Sequence, residues 1–317
     1  METILVTGGA GFIGSHVCER LLAKGNKVVC VDNFNDYYDP NVKEDNIKDM
    51  FKNSNYVLYR VDITNKNELQ VVFEKNKIDK IVHVAARAGV RASFDNKEIY
   101  ESVNVDGTRN LLELANEFGI KNFVFGSSSS VYGTNKKVPF SEDDPIENII
   151  SPYAETKKKA EELCKKFHDK FGLKITCLRL FTVYGPRGRP DMAPYKFTKT
   201  IIEGEKIDMY GGGDTKRDYT YVVDVVDGIL AALDKNLDFE IINLGNSNTI
   251  QLKEFIEIIE KEAGKKAEIN QLPMQKGDVP MTYADISKAK RLLGYDPKIK
   301  IQEGIRIFVE WYKKKML

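Results

Sequence analysis

Thr3-Ile4-Leu5-Val6-Thr7-Gly8-Gly9-Ala10-Gly11-Phe12-Ile13-Gly14 is a strand-length apolar run that passes straight into a glycine turn. A helical pattern then continues to Leu22. The glycines recur at positions 8, 11 and 14, with Phe12 and Ile13 between the last two. Such spacing suits a backbone that must turn tightly, come close to a pyrophosphate and let the helix lie close on the strand. The helix start offers N–H groups and the positive end of its dipole to phosphate. Gly8, Gly11, Phe12, Ile13 and Gly14 are therefore the first candidates for holding a dinucleotide.

Outward from this unit, short β-rich runs alternate with helix-length amphipathic stretches. Lys27–Val31, Tyr56–Val61, Lys80–Val84, Asn122–Phe125 and Ile175–Leu178 read as strands, and 97–118 and 153–171 read as helices. Alternating β and α with fully apolar strands predicts a parallel sheet covered on both faces, the doubly wound, Rossmann-like α/β class. Beyond residue 181 the rhythm breaks, with Gly and Pro clustered in YGPRGRP and YGGGDT. The expected division is a dinucleotide-binding domain over 1–181 and a smaller C-terminal α/β substrate-binding domain over 182–317. Part of 219–245 is expected to return to the main sheet.

Composition narrows the classes of function. Across 317 residues, 48 Lys and Arg face 47 Asp and Glu, and the net charge of +1 gives no general attraction to nucleic acid or anionic membranes. No run approaches the roughly 20 apolar residues of a membrane span, and METILVTGG lacks the pattern of a secretory signal. Cys18, Cys30, Cys164 and Cys177 are as scattered as His16, His83 and His168, so neither a disulfide framework nor a metal site is expected. These features predict a soluble, cytoplasmic protein without metal.

Asp32 ends the second strand, where a carboxylate accepts hydrogen bonds from a ribose diol and repels a 2′-phosphate. With Asn33 following and no Arg beside it, NAD is favoured over NADP. Asp62 and Ile63 end the third strand and could face the adenine, although Asp62 could equally cap a helix over 65–76. Ala85 and Ala86 follow the fourth strand and join the candidate cofactor site.

Tyr153 and Lys157 stand four residues apart, on one face of a helix. A nearby ammonium favours phenolate and fits the tyrosine for general-base work. The pair follows Phe125-Gly126-Ser127-Ser128-Ser129-Ser130-Val131-Tyr132-Gly133, which places hydroxyls at the C-terminal end of a strand, where open α/β sheets bind ligands.

TGGAGFIG, Asp32, the serine run before VYG and YAETK together resemble the extended short-chain dehydrogenase/reductase family, and within it the nucleotide-sugar epimerases, over essentially the whole chain. The resemblance implies that Tyr153 is the base, that Lys157 holds the nicotinamide ribose and that Ser128 bonds the reacting hydroxyl, with Ser127, Ser129 and Ser130 alongside. It implies a UDP-sugar substrate whose phosphates meet Arg217 and whose uridine end lies near Asp278. Galactose-type epimerases often carry Arg where this chain has Gln275. Thr182 to Ala193, TVYGPRGRPDMA, and Arg87 to Ser93, RAGVRAS, resemble runs typical of UDP-glucuronic acid 4-epimerases. Thr182, Arg189 and Arg91 are thereby candidates for a sugar C6 carboxylate, a group that a neutral hexose lacks.

The activity so implied is 4-epimerisation through a 4-keto sugar, with NAD retained through turnover. UDP-glucose epimerisation is the neighbouring possibility. A UDP-glucuronate decarboxylase usually carries Glu soon after the serine, and a dTDP-glucose dehydratase an Asp-Glu pair, where this chain has Ser129-Ser130. A non-catalytic NAD-binding protein would not need the intact Ser, Tyr and Lys set. Relatives commonly dimerise through two helices, here 97–118 and 153–171. Tyr37-Tyr38-Asp39-Pro40 reads as a turn near the adenosine.

Overall fold

Residues 1–274 and 277–316 are described by the structure, a computed structural model. Strand β1 (Thr3–Thr7) leads to helix α1 (Phe12–Ala23), β2 (Lys27–Val31) to α2 (Pro40–Ile47), and β3 (Tyr56–Tyr59) to α3 (Lys66–Lys75). After β4 (Lys80–His83) come α4 (Lys97–Glu101), a π-helical turn at Ser102–Asp106 and α5 (Gly107–Glu117), without a break between them. β5 (Asn122–Ser128) precedes α6 (Pro152–Phe171), followed by β6 (Lys174–Leu180), β7 (Thr182–Tyr184), α7 (Ala193–Glu203) and β8 (Lys206–Tyr210). The remaining elements are β9 (Lys216–Arg217), β10 (Tyr219–Tyr221), α8 (Val222–Lys235), β11 (Phe239–Leu244), β12 (Ile250–Gln251), α9 (Leu252–Ala263), β13 (Glu268–Leu272), α10 (Ser287–Leu293) and α11 (Ile301–Met316).

The main sheet has seven strands in the order β11-β6-β5-β4-β1-β2-β3, all pairs parallel. Alternation along β1 explains its two covered faces. Ile4 and Val6 join Val17 and Leu21 of α1 and Val225 and Ile229 of α8 on one side. Leu5 joins Leu69 of α3, Leu111 and Leu112 of α5 and Cys164 of α6 on the other. A strand buried on both faces needs apolar residues throughout, which is why these runs lack the polar alternation of a half-exposed sheet. Both α8 and β11 belong to this unit although the chain reaches them only after β7.

A separate apolar cluster, with Ile207, Met209, Phe255, Ile259, Ile305 and Val309, holds β8, α9 and α11 together. Asp218 ties it to the sheet unit. Its fully buried carboxylate accepts backbone N–H groups from Asn246 at 2.7 Å, Ser247 at 3.0 Å and Ala284 at 3.1 Å. Burial pushes its pKa up to about 6, against the pull of those N–H donors.

Local sequence sets the helix starts. Ser151 caps α6 by accepting from the Ala154 N–H at 3.2 Å, with Pro152 at the first helical position. Asn65 caps α3, accepting from the Glu68 N–H at 3.3 Å. Asp62 therefore does not cap α3. It accepts from the Thr64 N–H at 2.8 Å and from Asn33 Nδ2 at 2.7 Å. Among the described residues, no helix is long and apolar enough to cross a membrane, and no group of His, Cys, Asp or Glu could hold a metal ion.

Candidate active site

The C-terminal ends of β1 to β6 open onto one cavity of about 430 Å³. Every candidate cofactor, catalytic and substrate residue named from the sequence lines it except Arg91, whose guanidinium stands 3.1 Å from the lining Asp278. Gln275 lies outside the described residues.

At the dinucleotide end, Gly8 has φ +69°, a conformation L side chains rarely adopt, and a Cβ there would stand 2.8 Å from the Ala85 backbone. A Cβ at Gly14 would run into the Gly8 carbonyl, so this glycine serves the contact of α1 with the turn. Gly11 differs. Its Cβ would meet only the Gly8 oxygen at 3.2 Å and the Tyr38 hydroxyl at 4.0 Å. Gly11 is also the N-cap of α1 and supplies no side-chain acceptor, so the helix's first N–H groups remain for an anion. Asp32 is 7% exposed and is held by the Phe34 N–H at 2.9 Å and the Ala10 N–H at 3.2 Å. The bare turn, the uncapped helix start and the anchored carboxylate fit a dinucleotide's pyrophosphate and ribose.

Three groups at this end escaped the sequence reading. Lys43 of α2 places its ammonium 3.6 Å from Asp32, a cation from beyond the local run. Asn104, on the π-helical turn, holds both the N–H and the carbonyl of Arg87, at 2.8 and 3.0 Å. No periodicity signals this, because the extra residue of a π-turn shifts which side chains face the sheet. His83 is buried and bonds Thr7 at 2.7 Å and Thr108 at 3.0 Å. Burial first, and Lys157 second, push its pKa down to about 3.

At the chemical centre, α6 brings Tyr153 and Lys157 to the end of β5. Ser128 is the serine of the run that acts on the Tyr153 hydroxyl, drawing its pKa down. Its Oγ also donates to Ser130 Oγ at 3.1 Å and accepts from the Ser130 N–H at 3.2 Å. Ser127 is engaged elsewhere, donating to Glu161 Oε1 at 2.6 Å. Glu161 is paired edge-on with Arg179, at 3.0 and 2.9 Å. Burial raises the Tyr153 pKa, opposed by Ser128 and by the charge of Arg189. The Lys157 ammonium donates to the Gly126 carbonyl at 2.7 Å. Burial lowers its pKa to about 8, with Glu161 as the main opposing charge.

On the far side, Thr182 opens β7 and donates its N–H to the Asp218 carbonyl at 3.1 Å. Arg189 donates from Nε and Nη2 to the two carboxylate oxygens of Asp191, at 2.9 and 2.6 Å. The fork expected to meet a ligand thus already holds an internal carboxylate along one edge. Tyr37, expected near the adenosine, reaches this end, its ring facing Arg87 at 4.5 Å and Arg189 at 5.4 Å. Asp278 lies between two guanidinium groups, 3.1 Å from Arg91 and 3.9 Å from Arg217.

The sequence pattern of the NAD dependent epimerase/dehydratase family matches residues 4–245, and the chain belongs to that family. It is similar to the UDP-glucuronate 4-epimerase of Thermodesulfobacterium geofontis, 47% identical over 99% of this chain and 97% of that one. Among solved structures, UDP-glucuronic acid 4-epimerase from Bacillus cereus, in complex with UDP-glucuronic acid and NAD, superposes with a TM-score of 0.93. The two are 38% identical over 99% of each chain. UDP-glucose 4-epimerase from Thermotoga maritima, with UDP-glucose, has a TM-score of 0.92 at 34% identity, covering 99% of this chain and all of that one. Backbone shape is thus shared by enzymes of different sugars, and the choice between them rests on side chains.

Proposed function

We propose that the chain is an NAD-dependent isomerase that interconverts UDP-glucuronic acid and UDP-galacturonic acid at C4 of the sugar. The observation that carries this is the meeting in one cavity of Tyr153, Ser128, Lys157 and Arg189. The similarity to enzymes named for that reaction supports the same sugar. In this reading the sheet unit, residues 1–181 with the returning α8 and β11, holds the dinucleotide, and the rest of 182–317 holds the nucleotide sugar.

Bound NAD supplies a hydride acceptor and donor beside C4 of the sugar. Tyr153 takes the proton of the 4-hydroxyl and later returns one, while Ser128 orients that hydroxyl. Arg189 lowers the cost of the phenolate, and Lys157 anchors the nicotinamide ribose from its seat on Gly126. Asp32 and Asn33 take the adenosine ribose, and Gly11 leaves the pyrophosphate its approach. Asp62, Ile63, Ala85 and Ala86 complete the walls of that half. Arg217, beside Asp278, holds the UDP phosphates, joined there by Arg91, which the sequence offered for the C6 carboxylate but which pairs with Asp278 at this end. Held there, the keto sugar can turn and present its other face.

The keto intermediate of a uronic acid is a β-keto acid, which loses CO2 when the C5–carboxylate bond stands perpendicular to the carbonyl plane. Thr182, Ser129 and Arg189 hold the carboxylate away from that alignment. No acid follows Ser128, where Ser129 and Ser130 form a short turn, and this supports epimerisation over decarboxylation.

The testing experiment incubates the purified protein with UDP-glucuronic acid, without added cofactor, and follows products by proton NMR. The expected product is UDP-galacturonic acid without pentose. Arg189→Ala should raise the pentose share. UDP-pentose from the unaltered protein would make it a decarboxylase, and turnover of UDP-glucose alone would move the substrate to neutral hexoses. We further propose that the protein acts in the cytoplasm as a homodimer, joined through the continuous helical run of α4 and α5 (97–118) and through α6.

A further inference from the structure

We infer that Asp191, braced by Tyr37, is the positioning residue that aims Arg189 at the sugar's C6 carboxylate; this rests on the uronate reading above. A guanidinium can take a carboxylate along its Nε/Nη2 edge or along its Nη1/Nη2 edge. Asp191 fills the first edge with two short bonds, at 2.9 and 2.6 Å. That pair fixes rotation of the planar group, and the second edge is the one left for a ligand. Met192 adds a weak sulfur acceptor 3.8 Å from Nη2.

Tyr37 steadies both partners. Its ring lies 5.4 Å from the Arg189 guanidinium, and it helps keep the Asp191 carboxylate charged. The pair shifts both groups accordingly: burial works against the Arg189 charge, but Asp191 more than offsets it, and Arg189 holds Asp191 below the usual carboxylate range. Charge counting points to the ligand class. Arg87 and Arg189 flank the Tyr37 ring, and Asp191 pairs with Arg189 alone, so that among the described residues the Arg87 charge has no carboxylate within ion-pair distance. A uronate would neutralise it, whereas a neutral hexose would leave it uncompensated.

Without Asp191 the guanidinium keeps its attraction for a carboxylate but loses its fixed direction. The sugar carboxylate can then turn perpendicular to the 4-keto plane. In that alignment the C5–C6 bonding pair passes into the carbonyl as an enolate, CO2 departs, and a solvent proton replaces it at C5. A residue needed only for folding would depress total turnover and leave the product ratio alone.

The test compares the unaltered protein with Asp191→Ala and Asp191→Asn on UDP-glucuronic acid, with products counted by proton NMR alongside kcat and KM. The expected result for Asp191→Ala is a ~10-fold larger pentose share and a ~10-fold lower epimerisation kcat, with KM changed by less than ~3-fold. Asp191→Asn, which keeps one acceptor, should fall between. An unchanged product ratio in both variants overturns the inference while leaving the substrate reading intact. So does a ~10-fold drop in KM at constant ratio, which would make Asp191 a competitor of the substrate. An unaltered protein inert towards UDP-glucuronic acid but active on UDP-glucose overturns the substrate reading and this inference with it.

Discussion

Lys157 keeps a charge where charge is costly. It is 3% exposed, donates to the Gly126 carbonyl and has Phe125 beneath its ammonium at 4.9 Å. Burial brings its pKa down to about 8, so the ammonium is lost as pH rises through that value. If anchoring the nicotinamide ribose needs the ammonium, turnover should fall above about pH 8. Lys157→Arg, whose guanidinium stays charged, should be slower but flat from pH 7 to 10 in a steady-state pH profile. A falling limb retained by Lys157→Arg would assign it to another group. Tyr153, Ser128 and Lys157 were legible because their signal is local: a helical spacing of four and a serine run at a strand end. Tyr37 and Asp191 were not, because their place depends on loops brought together from distant parts of the chain. What spacing alone does not reveal is that the Lys157 ammonium donates to the strand carbonyl of Gly126.

Within the β1–α1 element, two glycines of similar appearance do different things. At Gly14 a methyl group would collide with the Gly8 carbonyl, whereas at Gly11, which lines the cavity, it would meet the Gly8 oxygen at 3.2 Å, a milder contact. Gly14→Ala should therefore lower the thermal midpoint, with a loss of about 1–3 kcal/mol. Gly11→Ala should fold with an unchanged midpoint but purify without bound NAD. Calorimetry and the absorbance of extracted cofactor check both, and a stable, NAD-replete Gly11→Ala protein would sink the assignment. Strand and helix types followed from the sequence because runs such as Ile4-Leu5-Val6 are continuously apolar between short turn signals. The continuous helix expected over 97–118 hides a π-turn, and only three-dimensional contact shows that this turn delivers Asn104 to Arg87.

For the whole molecule, the ends of α5 and α6 show apolar side chains outside the core. Phe118 is 37% exposed and Phe171 43% exposed. This supports pairing of two chains at that face. Sedimentation equilibrium should give twice the 36.0 kDa chain mass, and Phe171→Glu should shift it towards monomer. A concentration-independent single-chain mass for the unaltered protein would rule the dimer out. The return of late chain to the main sheet was readable, because Tyr219–Leu244 repeats the helix-then-strand rhythm. The role of Asp218 was not, since three of its donors come from segments far along the chain.

That returning strand has a consequence during synthesis. β6 is finished at Leu180, but its outer neighbour β11 is complete only at Leu244. At ~5–20 residues per second the ribosome takes several seconds to cover that interval. Meanwhile the emerging chain presents Ile175, Cys177 and Leu178 along an open, apolar edge, the kind of template on which a second nascent chain can add a strand.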